Sequence, residues 1–454
     1  MKKIFTIVGL LLVATMVLSA CGGGAAVPTD MPEPMEEPTE PMEEPTEAME
    51  EPTEAMEEPA IDCSGVSEGD EISMMSQWSG AEAEKINTVL SAFVEACGVS
   101  INSESTRDAA VLDTRVKSTP PDVLFWPSTA IISLYGEQMQ DLNELGAVTG
   151  NYAEFWVTDG TVDGRLLTLP AKADPKTLVW YSPVQFEAWG YEIPATFEEL
   201  DALVEQMVAD GNVPWSMGFE SDAATGWTGS DFIQDLLLTY EGPGYVLGLF
   251  DATVAYDDQG VQDAYATYQK WASDPAYTVG GAEGTVNTPF LEAIYKPFSD
   301  PPEAMMVKQA GFAGGEIVAQ FPDLVYGTDF DFFGFPGAQG LQGGADYLFA
   351  FSDSAASSAL IKYLTSEVGG ANWAAVGFDV SPNTGSTGNY PDEQLEKKSD
   401  MLANTQGFTP DLGDTLGNPF QSAEWAAIIS VVQGADIPAP LADAAAAQME
   451  TVSQ

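Results

Sequence analysis

Histidine is missing from this 454-residue chain, and basic residues of any kind are scarce. Fifteen lysines and arginines stand against 70 acidic residues, which gives a formal net charge of -55. Without imidazole, Ser-His-Asp catalysis and histidine-ligated zinc sites are excluded. Nucleic-acid binding relies on Lys and Arg to neutralise phosphates, so no nucleic-acid partner is expected. Adaptation to an acidic or a saline habitat would produce such an excess of acidic residues.

Long apolar runs are also scarce, and the clearest one opens the chain. It covers residues 4–18, follows two lysines and ends at Leu18-Ser19-Ala20-Cys21. The run is too short to span a hydrocarbon core of ~30 Å. It is typical of a bacterial lipoprotein signal over residues 1–20. The mature chain would then begin at Cys21 and be anchored to the membrane by acyl chains of the palmitate type attached through the Cys21 thiol. An ordinary secretory peptide with a chance cysteine is the alternative.

A seven-residue acidic repeat, MEEPTEP followed by MEEPTEA, fills the segment from Met35 to Ala60. Each unit carries a proline that removes a helix hydrogen bond, so a coiled coil is excluded. Self-repelling glutamates and spaced prolines predict an extended tether over residues 21–60. The recurring methionines offer soft ligands for copper. We interpret them as part of a duplicated unit and expect no metal site.

Cysteine is limited to three residues, and lipidation of Cys21 leaves Cys63 and Cys97. An even pair in an exported chain predicts one disulfide. This bond would join the chain entry to the end of the first predicted helix. Two unpaired buried thiols are the alternative.

The body of the chain, residues 61–454, is long enough for two domains. Its first part alternates predicted strands (71–77, 99–104, 123–126) with predicted helices (82–96, 109–117). This βαβαβ order indicates an α/β protein with a parallel sheet covered by helices. Ligands of such sheets lie outside the carboxyl ends of the strands, which here are followed by Trp78-Ser79-Gly80 and Trp126-Pro127-Ser128.

A second series of strands and helices begins near residue 177. It predicts a strand over 178–181, a helix over 182–189, and a helix opened by a capping box of Thr196 and Glu199. A further strand is predicted over 214–219. A loop over 220–230, with Trp227 among small and polar residues, then precedes a helix over 231–240.

Five stretches of the body resemble one known family when taken together and in order. They are PDVLFWPS (121–128), LVWYSPVQFEAWGYEIPATFEEL (178–200), ATGWTGSDFIQDLLL (224–238), MMVKQAGFAGG (305–315), and GGADYLFAFSD with SPNTG (343–353, 381–385). The chain resembles the extracellular solute-binding proteins of ABC importers, in the carbohydrate group of maltose and α-glucoside binders. The segment around Trp227 favours the α-glucoside branch.

The resemblance implies a two-lobe periplasmic-binding-protein fold with discontinuous lobes and a hinge. Lobe one would hold about 68–173 and 336–380, and lobe two about 174–335 and 381–450. The lobes would close on a small-molecule sugar and deliver it to the permease subunits of an importer. We therefore expect a monomer without a cofactor, lipid-anchored at the extracytoplasmic face of the cell membrane.

Aromatic rings that stack on the C-H faces of sugars are the first candidates for a binding site. Trp126 matches the strand-end tryptophan of the family, Phe312 a stacking position of the second lobe, and Trp227 a loop that lines the cleft. Further aromatic candidates are Trp78, Trp180 and Tyr181. Plain core packing is the alternative for each of them.

Polar side chains that bind sugar hydroxyls are the second group of candidates. The four residues proposed for this role are Asp174, Glu220, Asp346 and Asn383. In so acidic a chain, carboxylates also fall near any cleft by chance. Maltose binders carry charged residues where this chain has Ser79-Gly80 and Thr129-Ala130, which argues against maltose itself.

Two other classes of function compete with import. Paired carboxylates ~5 to 9 Å apart would make a glycoside hydrolase. No segment places acidic residues on strand ends with the regularity of such enzymes, and the family resembled is not catalytic, so no enzyme is expected. A tethered chemoreceptor ligand-binder or adhesin, or a binder of another small solute, also fits the chain.

Overall fold

The computed structural model of the protein describes residues 61–106 and 108–453. The predicted signal (1–20), the lipidation site Cys21 and the repeat tether (21–60) lie outside the described residues. Within the described part, no helix combines the length and apolar character needed to cross a membrane.

In the described part of the chain, the strands form two main sheets and a separate two-stranded pair. The strands are β1 (Glu71–Ser76), β2 (Ser100–Ser105), β3 (Val123–Trp126), β4 (Thr161–Val162), β5 (Arg165–Leu166), β6 (Leu169–Pro175), β7 (Leu178–Tyr181), β8 (Met306–Lys308), β9 (Asp331–Gly334), β10 (Leu341–Ala350) and β11 (Phe408–Pro410). The first sheet has the order β11-β10-β3-β1-β2, with β6 also paired to β10. The second sheet, β8-β7-β9, is antiparallel.

Helices cover the faces of both sheets. They are α1 (Ala81–Cys97), α2 (Ala109–Ser118), α3 (Ile131–Tyr135), α4 (Glu154–Asp159), α5 (Pro183–Trp189), α6 (Phe197–Ala209), α7 (Trp227–Tyr240), α8 (Pro243–Phe250), α9 (Gln259–Ser273), α10 (Gly281–Asn287), α11 (Phe290–Tyr295), α12 (Ala313–Gln320), α13 (Ala355–Thr365), α14 (Glu367–Val376), α15 (Glu393–Asn404), α16 (Leu412–Leu416), α17 (Phe420–Val432) and α18 (Pro438–Val452).

The predicted βαβαβ unit is confirmed at the start of the first sheet. Strands β2 and β3 lie on either side of β1 and run parallel to it. Side chains alternate between the two faces, as the two-residue period of a strand requires. On β3, for example, Val123 and Phe125 enter one core cluster while Leu124 and Trp126 enter the other.

The second sheet is buried on both faces in the same way. On β7, Val179 and Tyr181 pack in a large cluster with helices α6, α7, α9 and α17. Leu178 and Trp180 pack in a smaller cluster against Phe330 of the loop before β9. The capping box of Thr196 and Glu199 forms at the start of α6, as predicted.

Three stretches of chain connect the two sheets. The first lies between β6 and β7, at Lys176 and Thr177, and the second between β9 and β10. The third connecting stretch lies later in the chain than the predicted boundary at residue 381, because Leu402 and Phe408 still pack in the core of the first sheet. Leu412 is the next residue to join the core of the second sheet, so we place the last crossing between β11 and α16.

Two predicted elements in the second part of the chain are wrong. Residues 214–219 form isolated bridges at Trp215 to Thr278 and Met306 and no strand of a sheet. The predicted loop over 220–230 ends early, because α7 already begins at Trp227. Gly226 has φ 113, and this left-handed turn lets the helix start in a Thr-Gly-Ser stretch that is poor in helix formers.

A disulfide joins Cys63 to Cys97, with 5.4 Å between the two Cα atoms. Cys97 is the last residue of α1, so the bond fastens the end of this helix to the chain that leads into β1.

Candidate functional site

A cleft of about 530 Å³ opens where the first sheet meets the connections to the second. Residues that follow strand ends of the first sheet line one side of it: Gln77 after β1, and Pro127, Ser128 and Thr129 after β3. These are the positions where an α/β sheet is expected to bind ligands. The floor comes from the β6 and β10 pair and from the start of α16.

Five carboxylates and two lysines line this cleft. The carboxylates are Asp174, Asp346, Asp379, Asp411 and Asp414, and the lysines are Lys172 and Lys176. Both lysines are engaged in ion pairs, the first with Glu82 and Asp379 and the second with Asp231 and Asp411. The cleft therefore carries a surplus of negative charge, which disfavours anionic ligands.

Asp346 is held tightly by the first sheet. Its two carboxylate oxygens accept hydrogen bonds from Gln77 Nε2 and Trp78 Nε1, both at 2.8 Å. Lys172 Nζ lies 3.6 Å away. Trp78 is itself buried in the core of the first sheet, so this predicted aromatic residue orients Asp346 and has almost no exposed surface for a ligand.

Asp174 differs from the other four carboxylates of the cleft. Asp379 pairs with Lys172, Asp411 with Lys176, and Asp414 accepts a hydrogen bond from Gln421 Nε2 at 2.8 Å. The half-buried carboxylate of Asp174 has neither a hydrogen bond nor an ion pair with any described residue, while burial raises its pKa. Its oxygens are thus available to accept hydrogen bonds from a ligand.

A buried acidic cluster lies around Lys176 beneath the cleft. Burial raises the pKa of Asp231 to about 8, against the opposing charges of Lys176 and Lys308. Burial acts in the same direction on Asp411, but the charge of Lys176 holds the pKa of Asp411 below its ordinary value. The two carboxylates that pair with Lys176 therefore have pKa values shifted in opposite directions.

A second cavity, of about 220 Å³, adjoins the first and shares Lys176, Asp411 and Asp414 with it. Trp227 and Trp425 form its aromatic wall. The two cavities thus make one continuous groove with carboxylates at one end and indole rings at the other. This combination of flat apolar surface and hydrogen-bond acceptors is the chemistry that binds pyranose rings.

Trp227 stands in a cluster of aromatic rings. Its ring centroid lies 5.3 Å from that of Phe290 and 6.4 Å from that of Phe312. Lys176 Nζ lies over one face of the Trp227 indole, 5.6 Å from the ring centroid. Phe312, 39% exposed, borders this cluster but lines neither cavity.

The other predicted aromatic residues lie in the core. Trp126, on β3, packs in a core cluster with residues of α2 and α3, and Trp180 is fully buried with Nε1 donating to the Gln309 carbonyl. Tyr181 is buried against Phe186 and Phe333. All three side chains therefore pack in the core, which is the alternative given for them from the sequence.

Two predicted polar residues lie outside both cavities. Glu220 is half-buried, and its Oε1 accepts a hydrogen bond from the Asp222 amide at 3.4 Å. Asn383 is buried, with Nδ2 donating to the Ser366 carbonyl and Oδ1 accepting from the Gly385 amide. Its amide fixes the turn that follows β10 and α14.

Sequence reasoning missed the contribution of the C-terminal segment to the groove. Asp411 follows β11 and caps α16, so the strand-end rule would have identified it had the short strand over 408–410 been recognised. Trp425, on α17, carries no motif that sets it apart from a core tryptophan. Only the packing of α17 against α7 brings it opposite Trp227.

Solved structures with the same fold are bacterial solute receptors. The solute receptor AcbH superposes with a TM-score of 0.72 at 19% identity, covering 85% of this chain and 100% of the receptor. RafE of Streptococcus pneumoniae in its apo form gives a TM-score of 0.68 at 16% identity, over 85% of this chain and 99% of RafE. The fold is therefore that of the two-domain solute-binding proteins.

Curated relatives extend the match to sequence. The alpha-glucosides-binding periplasmic protein AglE of Rhizobium meliloti is 31% identical over 395 residues, which is 81% of this chain and 84% of AglE. The osmoprotective compounds-binding protein GgtB of Synechocystis sp. is 29% identical over 392 residues, or 82% and 91% of the two chains. No protein-family model matches the chain.

The protein belongs to the family of extracellular solute-binding proteins of ABC transporters. Proteins of this family are extracytoplasmic.

Proposed function

We propose that the protein binds an uncharged carbohydrate, an α-glucoside or a short oligosaccharide, in the groove between the two sheets and delivers it to the permease of an ABC importer. The free carboxylate of Asp174 carries this proposal, because it is the one cleft carboxylate without a partner among the described residues. A sugar hydroxyl supplies the donor that Asp174 lacks.

The dimensions and charge of the groove support the same ligand class. The two adjoining cavities of about 530 and 220 Å³ offer room for more than one pyranose ring. The excess of carboxylates over lysines selects against sugar phosphates and sugar acids, whose charge would be repelled in a partly dehydrated site. AglE, the relative that binds α-glucosides, supports the α-glucoside class, and GgtB makes small uncharged osmoprotectants the second candidate.

A thermal-shift screen tests the proposal. Neutral α-glucosides, galactosides, raffinose-type oligosaccharides and polyols are compared with a sugar phosphate and a uronic acid at equal concentration. A ligand present at a hundredfold its dissociation constant stabilises the folded state by ~2.7 kcal/mol, which is visible as a higher melting temperature. We expect at least one neutral sugar to do so and the anions to have no effect. Stabilisation by the anions alone would refute the proposal.

Lipid anchoring and a monomeric state are the finer parts of the proposal. The Leu-Ser-Ala-Cys sequence ending at Cys21 and the acidic repeats support a lipidated, tethered receptor at the membrane surface. Cys21→Ser should release the protein from membrane fractions without detergent. Membrane association equal to that of the wild type would refute anchoring through this thiol.

We also propose that the groove binds its ligand without chemical conversion, as the family's binding proteins do. Incubation of the purified protein with maltooligosaccharides, followed by chromatography, should show no shorter products. Hydrolysis by the wild-type protein that is lost in the Asp174→Asn variant would instead identify the protein as a glycoside hydrolase.

A further inference from the structure

Behind Asp174 lies a lysine whose charge is not paired. Lys398 stands on α15 and is only 6% exposed. Within residues 61–106 and 108–453 its ammonium group forms no ion pair and no hydrogen bond, although a charge on a largely buried side chain is costly without a partner. Among the charged groups that shift the pKa of Asp174, Lys398 nonetheless has the largest effect, and it lowers this pKa. The unpaired ammonium group of Lys398 therefore calls for a functional explanation.

Gly311 explains how Asp174 and Lys398 come together. Its amide donates a hydrogen bond to the Pro175 carbonyl at 3.2 Å, which brings the loop after β8 against the end of β6. A side-chain carbon at position 311 would overlap Asp174 Oδ1 and would lie 3.0 Å from Lys398 Nζ. The carboxylate and the ammonium group therefore approach the same small volume, which stays open because residue 311 has no side chain.

We propose that Gly311 and Lys398 are positioning residues for the ligand-binding carboxylate of Asp174. The glycine leaves room for the carboxylate to lie at the edge of the cleft. The lysine supplies a counter-charge from behind, too far away to form an ion pair that would occupy the carboxylate oxygens. This inference rests on the proposed binding function, and it adds the two residues that keep the acceptor ionised and open.

The other charges near Asp174 do not replace Lys398. Lys172 and Lys176 also favour the ionised carboxylate, but both are shared with other acids, and Asp379 opposes ionisation. Burial raises the pKa of Asp174, and Lys398 is the first of the charges that lower it. Removal of the Lys398 charge should therefore let Asp174 take up its proton at a higher pH, where a protonated carboxyl accepts hydrogen bonds less well.

Lys398→Met tests the counter-charge, because methionine keeps much of the side-chain length without the charge. Calorimetric affinity for a neutral sugar that the wild type binds is measured from acid to neutral pH. We expect the affinity to fall about tenfold or more at mildly acidic pH, with its acid limb displaced toward neutral pH. Lys398→Arg should restore the wild-type profile in part. Lys362→Met, at a lysine with 47% of its side chain exposed and paired only with Asp62, is the matched control and should change nothing.

Gly311→Ala tests the space between the two groups. It should weaken sugar binding at every pH with little change in melting temperature, since the flexible Asp174 side chain moves aside. In the background of Asp174→Asn, neither Lys398→Met nor Gly311→Ala should lower affinity further. A loss that persists in this background would overturn the proposal, because the two residues would then act independently of Asp174.

A ligand-free measurement separates this inference from the proposed function. Carbon-13 NMR of labelled aspartate, with Asp174→Asn to assign the signal, follows the Asp174 titration in the wild type and in Lys398→Met. We expect the titration midpoint to be higher in the variant, whether or not a sugar has been found. If no sugar binds the wild type, the proposed function fails. If the midpoint and the acid limb are the same in both proteins, the role of Lys398 is refuted.

Discussion

Single side chains in this protein divide between those that face the groove and those that pack in a core. Trp227 lines the groove beside the rings of Phe290 and Phe312, whereas Trp180, on β7, is fully buried in a core of the second sheet. The two tryptophans lie in the same lobe and have the same chemistry, so they make a matched pair for substitution.

Trp227→Ala should weaken sugar binding by ~1 to 3 kcal/mol, because a stacking surface is lost, while the free energy of unfolding changes little. Trp180→Ala, in contrast, should cost ~3 to 5 kcal/mol of stability through cavity formation. Calorimetry and denaturant melts on both variants check this. The assignment of Trp227 to the groove fails if its loss destabilises the fold as much and leaves affinity unchanged.

A second residue with a distinctive environment is Glu424, buried on α17 and hydrogen-bonded to the Tyr256 hydroxyl at 2.8 Å. Burial raises its pKa to about 8 from an ordinary value of 4.5. Between these values the folded state binds a proton that the unfolded state has lost, so stability falls as the pH rises through this window.

Glu424→Gln should therefore flatten the dependence of unfolding free energy on pH between about pH 5 and about pH 8. Denaturant melts at several pH values measure the slope, with the exposed Glu95→Gln as the control. A slope equal to that of the wild type would show that Glu424 ionises normally in the folded state.

At the scale of elements, the sequence predicted best what depends on local pattern. The strand over 123–126 and the strand over 178–181 have the predicted bounds, because short apolar runs between turn residues define them. The capping box of Thr196 and Glu199 is likewise a signal contained within four residues.

Elements that depend on distant partners were predicted poorly. Residues 214–219 have the composition of a strand, but their backbone groups bond to separate segments near Thr278 and Met306, and no ladder forms. The groove residues Asp411 and Trp425 come from the last quarter of the chain, and only tertiary packing brings them to Trp227. Of the four polar candidates from the sequence, Asp174 and Asp346 line the cleft.

The disulfide is the one covalent link between elements in the described residues. It joins residues 34 apart in sequence and closes a loop that contains β1 and α1. In the chain-entropy account, a loop of this length stabilises the fold by ~2 to 4 kcal/mol. Replacement of both cysteines by alanine should lower the free energy of unfolding by this amount in denaturant melts. An unchanged midpoint would show that the link contributes nothing to stability.

At the scale of the whole molecule, three connections between two separately packed sheets suit a hinge. The groove lies over these connections, with Lys172 and Lys176 on either side of Asp174. A sugar that contacts both sides of the groove only when the lobes approach has a higher affinity for the closed form.

Small-angle scattering should therefore show a smaller radius of gyration in the presence of a saturating sugar. The Trp227→Ala variant at the same sugar concentration serves as the control, since weaker binding should leave more of the open form. An identical radius with and without the sugar, at proven saturation, would argue against closure.

A crystal structure with the sugar that most raises the melting temperature tests the central claim directly. We predict density for the sugar in the groove, with a hydroxyl donating to the Asp174 carboxylate and a ring lying against the indole of Trp227 or Trp425. Density in the separate surface cavity between α4 and α15, lined by Glu154, Asp159 and Gln406, would contradict the account. So would a sugar in the groove that leaves Asp174 without a hydrogen bond.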